Sequence, residues 1–181
     1  MTDNTLEAEL RLETLQTLMI RTRGEFADDE NEILTIACNK NIEVCQMIEF
    51  STKKRLGIIE GLSDKCSITK YREMMIADEK YINLHNHPNF TAHSVTDLYM
   101  LLIHKEICEI RVLSADRTYI AQFDGITEIK KEEFESIAKE VLIEISGKST
   151  ITRESLYKRN LGLGRIFGIK IREELVWKDL E

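Results

Sequence analysis

The sequence predicts an α/β protein, and three observations carry that expectation. Segments with the apolar periodicity of helices alternate with short segments suited to strands. The run YINLHNH from Tyr81 has the apolar density of a buried strand and leads into an apolar helix from Ser94 to Lys105. After Gly125, residues Phe134, Ile137, Ala138, Val141, Leu142 and Ile145 follow the helical period, and Gly147 closes that helix.

Taken in order, Leu6, Leu10, Leu15, Leu18 and Met19 share one helical face among Glu and Arg, suited to pack on the core or on another subunit. A second helix is expected from Asp28 to Asn39, because Asp28 and Asp29 suit a helix start and Ile33, Leu34, Ala37 and Cys38 share a face. The stretch from Glu43 to Phe50 lacks a helical stripe and is followed by polar STKK and then RLGIIEG, which reads as a β-hairpin. Ile68, Tyr71, Met75 and Ile76 suggest a short helix from Ser67 to Ala77. Residues Glu109 to Ser114 and Thr118 to Phe123 form a strand pair split by Ala115, Asp116 and Arg117, and residues 152 to 161 one more helix. The string GLGRIFG from Gly162 does not match a phosphate-loop spacing and no strand feeds it, so no nucleotide site is expected there. One domain is expected for residues 1–181, with a core over 28–125, an N-terminal helical extension over 1–27 and a C-terminal one over 126–181.

Composition is that of a globular chain, 43% hydrophobic and 31% charged. The net charge of −7 opposes long-range attraction to duplex DNA and argues against a nucleic-acid partner. Cys38, Cys45, Cys66 and Cys108 have neither CxxC nor zinc-finger spacing and read as buried thiols in a reducing compartment. The acidic start is unlike a signal peptide, and the longest apolar run, Leu98 to Ile103, is too short to cross a bilayer. The expectation is a cytoplasmic protein without a membrane partner, with the terminal helices as candidates for a homo-oligomer contact.

All four histidines lie between His85 and His104, three of them within HNHPNFTAHSVTD. Residues two apart on a strand point the same way, so His85 and His87 present both imidazoles on one face at a strand's end. Pro88 stops the strand, and the chain returns to a helix whose first turn carries Asp97, a candidate third ligand. Three protein ligands and one open position are the arrangement of a catalytic rather than a structural zinc. Zinc there would lower the pKa of a water to about 7 and polarise a carbonyl, which permits hydrolysis at neutral pH. Ser94 and Asp97 also form an S-x-x-D capping arrangement, compatible with coordination. His93 reads as a solvated loop residue in preference to a substrate-side group or a partner of the ligands, and His104 as a structural one.

This segment resembles the JAMM motif of the JAB/MPN metallopeptidases, and HNHP is similar to the RadC-type branch. The resemblance spans roughly Glu43 to Phe123 and implies a cytidine-deaminase-like mixed sheet with helices on both sides. It further implies His85, His87 and Asp97 as zinc ligands, Ser94 as a donor to the oxyanion, and an upstream glutamate as general base. Glu43 is the first choice because it opens the hairpin, with Glu49 and Glu60 as competitors. The six residues from Pro88 to His93 make the loop one shorter than the commonest family spacing, a form similar to domains of phage and mobile-element proteins. The implied activity is that of a zinc-dependent peptidase or isopeptidase acting on a protein or peptide. Its rivals are a non-catalytic MPN-like protein-binding module and a RadC-like DNA-associated protein.

Overall fold

The computed structural model describes residues 20–21, 24–63, 65–147 and 150–175. The expected helix carrying Leu6 to Met19 lies outside them. Elements run in the order α1 (Ala27–Lys40), β1 (Val44–Glu49), β2 (Arg55–Glu60), a 3-10 turn (Ile68–Tyr71), β3 (Tyr81–Asn86), α2 (Val95–Ile103), β4 (Ile107–Leu113), β5 (Arg117–Gln122), α3 (Lys131–Ser146), α4 (Arg153–Phe167) and β6 (Lys170–Leu175). The six strands form one mixed sheet in the order β2-β1-β3-β4-β5-β6. Only β3 and β4 are parallel, because α2 carries the chain back across the sheet between them.

Strand parity divides the core. One face sends Cys45, Met47, Tyr81, Ile110, Val112, Tyr119 and Ala121 against Leu98, Leu101 and Leu102 of α2, Phe134 and Ala138 of α3, and Leu163 of α4. The other sends Val44, Ile48, Ile82, Leu84 and Leu113 against Ile33, Leu34 and Ala37 of α1. Helices therefore cover both faces of the sheet, as expected of an α/β protein. No helix among the described residues is long and apolar enough to cross a membrane.

Four expectations need correction. The helix from Ser67 to Ala77 shrinks to the turn Ile68–Tyr71, where the Tyr71 hydroxyl donates to the carbonyls of Cys45 (2.7 Å) and Gly57 (2.9 Å) and Met74 and Ile76 stay exposed. Only one side of this segment has a core to bury against, so a full helix gains little. Cys45 and Cys66, expected as thiols, form a disulfide. His93 is buried rather than solvated, at 1% exposure.

The fourth correction is that the C-terminal segment is not wholly helical, since β6 extends the sheet beside β5. Its residues KIREEL have no apolar alternation and are held by charge across strands, Arg117 to Glu173 at 2.9 Å and Arg111 to Glu174 at 3.2 Å. Before it, α4 runs to Phe167, straight through the first glycines of GLGRIFG. A Cβ on Gly162 would meet Val141 of α3 at 2.7 Å, and one on Gly164 would meet the Ile169 carbonyl at 2.7 Å. Those glycines allow close packing, and Gly168, at φ 74°, ends the helix in the left-handed conformation.

Helix α4 also reaches the histidine-rich loop. The His93 carbonyl accepts from Arg159 Nη2 at 3.0 Å and from Asn160 Nδ2 at 2.9 Å, and both donors are buried. Asn160 Oδ1 in turn accepts from Arg159, which orients the guanidinium. Asn160→Ala is expected to destabilise the fold by about 1–3 kcal/mol, since it leaves buried partners unsatisfied. Urea unfolding checks this, and a change of a few tenths of a kcal/mol would show that the loop is not held from α4.

Candidate metal centre

Strand β3 ends at Asn86, and His85 and His87 turn to the same side, with their Nε2 atoms 3.2 Å apart. Pro88 ends the pairing, and the short return to α2 uses Phe90 in the left-handed region at φ 54°, sparsely allowed for a non-glycine residue. Its amide donates to the His87 carbonyl at 2.8 Å, and its carbonyl accepts from the Ser114 hydroxyl at 3.1 Å. Ser94 then caps α2. Its Oγ accepts from the Asp97 amide at 3.1 Å, and Asp97 Oδ2 accepts from the Ser94 amide at 2.6 Å.

This capping box fixes Asp97 against both imidazoles. Oδ1 lies 3.5 Å from His85 Nε2, and Oδ2 lies 3.3 Å from His87 Nε2. Hydrogen-bond logic then settles both rings. His85 Nδ1 lies 2.8 Å from Asn83 Oδ1, which can only accept, so Nδ1 carries the hydrogen. His87 Nδ1 lies 3.3 Å from Thr91 Oγ1, whose own proton goes to Asn89 Oδ1 at 3.0 Å, so this Nδ1 is the donor too. When the rings are neutral their Nε2 lone pairs face each other and a carboxylate, an arrangement that either a shared proton or a metal ion satisfies. His85, His87 and Asp97 form a group that could hold a metal ion.

The surrounding charges respond to this crowding. Burial would raise the Asp97 carboxyl, but the charge and hydrogen bonds of His85 and His87 hold it well below the usual carboxylate range. Burial would lower His87, yet the hydrogen bond and charge of Asp97, with the charge of Glu43, leave it above its ordinary value. Burial raises Glu43, opposed by the charges of His87 and His85 and by a hydrogen bond from the Cys66 amide, and assisted by Asp97.

Glu43 precedes β1 and lines a cavity of about 270 Å³ together with Asn83, His85, Thr96 and Asp97. Apolar walls come from Ile68, Met100, Ile107 and Ile110, and Cys45, Cys66 and Arg72 complete much of the rim. Neither competing glutamate reaches it. Glu49 lies opposite Tyr81 at the far end of β1, bonded to Thr52, and Glu60 pairs with Lys40 at 2.5 Å. Ser94 sits beside the metal-ligating group as its cap and is not among the cavity's lining residues. His104 caps the end of α2 and pairs with Glu106 at 3.1 Å. Sequence reading missed Asn83 and Thr91; strand parity places Asn83 beside His85, and that signal was present.

Compared with known proteins, the chain matches no family model, no curated protein and no solved structure.

This geometry makes two outcomes testable. The purified protein should take up a divalent metal at close to one equivalent, and His85→Ala, His87→Ala or Asp97→Ala should each remove most of it, as elemental analysis would read. Full retention in all three variants would place the metal elsewhere. His93 supplies a pH test at a residue outside the group: burial, with the charges of His85 and His87, holds its pKa at about 4 against an ordinary 6.5, opposed by its Nε2 bond to the Ile110 carbonyl and by the Asp97 charge. Below pH 6.5 the unfolded chain gains a proton that the folded chain refuses until about pH 4. Stability therefore falls as pH drops through that window, by at most about 1.4 kcal/mol per pH unit. His93→Gln should flatten this slope in urea unfolding between those limits, and an unchanged slope would contradict a neutral buried His93.

Proposed function

We propose that this protein is a zinc-dependent metallopeptidase or isopeptidase of the JAB/MPN type, hydrolysing an amide bond in a protein or peptide. The observation that carries the reading is the convergence of two lone-pair nitrogens and a carboxylate, with Glu43 facing the same cavity. Ligands in a tetrahedron with bonds of about 2.0–2.1 Å are separated by about 3.3–3.4 Å. The two Nε2 atoms are 3.2 Å apart, close to that edge, and a different Asp97 oxygen approaches each ring, Oδ1 at 3.5 Å from His85 and Oδ2 at 3.3 Å from His87, so a small turn of the carboxylate would bring one oxygen to both.

Zinc held by His85, His87 and Asp97 would polarise the scissile carbonyl and lower the pKa of a water to about 7. Glu43 takes that water's proton and returns it to the departing amine. Its raised pKa suits both halves of the task, because a base too weak would never accept the proton and one too strong would not release it. Ser94 uses its oxygen as an acceptor for the α2 cap, which leaves its hydroxyl proton as the donor proposed for the developing oxyanion.

Glu43→Gln should keep zinc and fold but lose hydrolysis, since an amide cannot take the proton. Ser94→Ala should slow turnover by the equivalent of a few kcal/mol at most. It should also lower stability by about 0.5–2 kcal/mol through loss of the cap. Proteins that co-purify with the Glu43→Gln variant supply the substrates, and cleavage is followed by mass spectrometry. Cleavage by Glu43→Gln at the wild-type rate would remove Glu43 from the mechanism. A wild-type protein that binds zinc and a partner but cleaves nothing would be a binding module.

A further inference from the structure

Asn83 is out of place in its surroundings. It points to the helix-covered face of the sheet, where its cross-strand neighbours are Met47 on β1 and Ile110 on β4, both buried. Asn83 itself is 4% exposed, and its Nδ2 has no hydrogen-bond partner. An apolar side chain would suit that strip better, because a buried donor without an acceptor weakens a fold and in a native protein calls for a functional explanation. Among the described residues, the one hydrogen bond of the Asn83 side chain is the 2.8 Å bond from His85 Nδ1 to its Oδ1.

We propose that Asn83 is a positioning residue for the metal ligand His85, kept at the expense of the fold for its carbonyl oxygen alone. By accepting the Nδ1 hydrogen, Oδ1 selects the tautomer that leaves Nε2 as the lone-pair nitrogen and holds the ring plane toward Asp97. An amide does this without charge. A carboxylate in its place would make the imidazole a stronger ligand but would add a negative charge to a cavity already lined by Glu43 and Asp97. The inference rests on reading His85, His87 and Asp97 as a metal site.

The test is zinc affinity, measured by competition with a chromophoric chelator, set beside urea unfolding of the same proteins stripped of metal. Asn83→Leu should weaken zinc binding by about 10- to 100-fold while leaving the metal-free protein at least as stable as wild type. A merely structural asparagine would give the opposite pattern, lower stability with unchanged affinity, and that result would overturn the proposal. Asn83→Asp keeps the acceptor and should bind zinc at least as tightly as wild type. If Asn83→Leu does not fold, Asn83→Asp decides: retained affinity supports the role, and a loss of about tenfold or more overturns it. Wild-type protein that binds no zinc would instead sink the metal reading on which the inference stands.

Discussion

Two imidazole Nε2 atoms and a carboxylate are held within about one hydrogen-bond length of one another, while Asn83 and Thr91 accept the Nδ1 hydrogens. Much of the structure around the site serves that arrangement. Strand β3 supplies the parity that aligns His85 with His87, and pairing with Cys45 on β1 and Val112 on β4 fixes the backbone of His85. The capping box prevents Asp97 from swinging out, since releasing it would uncap α2. A metal ion held there would satisfy these acceptors, so its binding would be coupled to local stability.

Asp97 shows how a small number of residues can satisfy several demands. Its backbone amide bonds Ser94 Oγ, its Oδ2 receives the Ser94 amide, and both its oxygens face histidines. The same bonds fix the start of the helix and the position of the Asp97 carboxylate against the two imidazoles. The short loop from Pro88 to His93 can be short because this end point is rigid, and the left-handed Phe90 absorbs the tight return.

Local rules made part of this arrangement legible in the sequence. Parity on a strand placed His85 and His87 together, first-turn chemistry placed Asp97 and Ser94, and the helical periods located α1 and α2 within a residue or two and the C-terminal end of α3 at Gly147. Long-range features had no such signature. Strand β6 pairs along β5 with Ile171 against the core but has no apolar alternation to announce it, and the disulfide joins residues 21 apart with no motif spacing. His93 looked like a loop residue because nothing nearby reveals that Ile110 receives its Nε2 from 17 residues away.

The longest of these connections changes how the C-terminal segment is understood. Arg159 and Asn160 grip the His93 carbonyl across 66 and 67 residues of sequence, from inside a helix that sequence reading treated as an extension. The His93 carbonyl is the last backbone acceptor before the α2 cap, and His93's ring is fixed on β4 at the same time. A loop tied at both backbone and ring cannot drift relative to β3, and Asp97 comes four residues later at the distance the histidines require. Helix α4 can approach closely enough to make this grip because Gly162 and Gly164 remove the side chains that would collide with α3 and the chain leading into β6. The glycines that mimic a phosphate loop thus serve the metal-ligating group indirectly, by letting its outer support pack against the core.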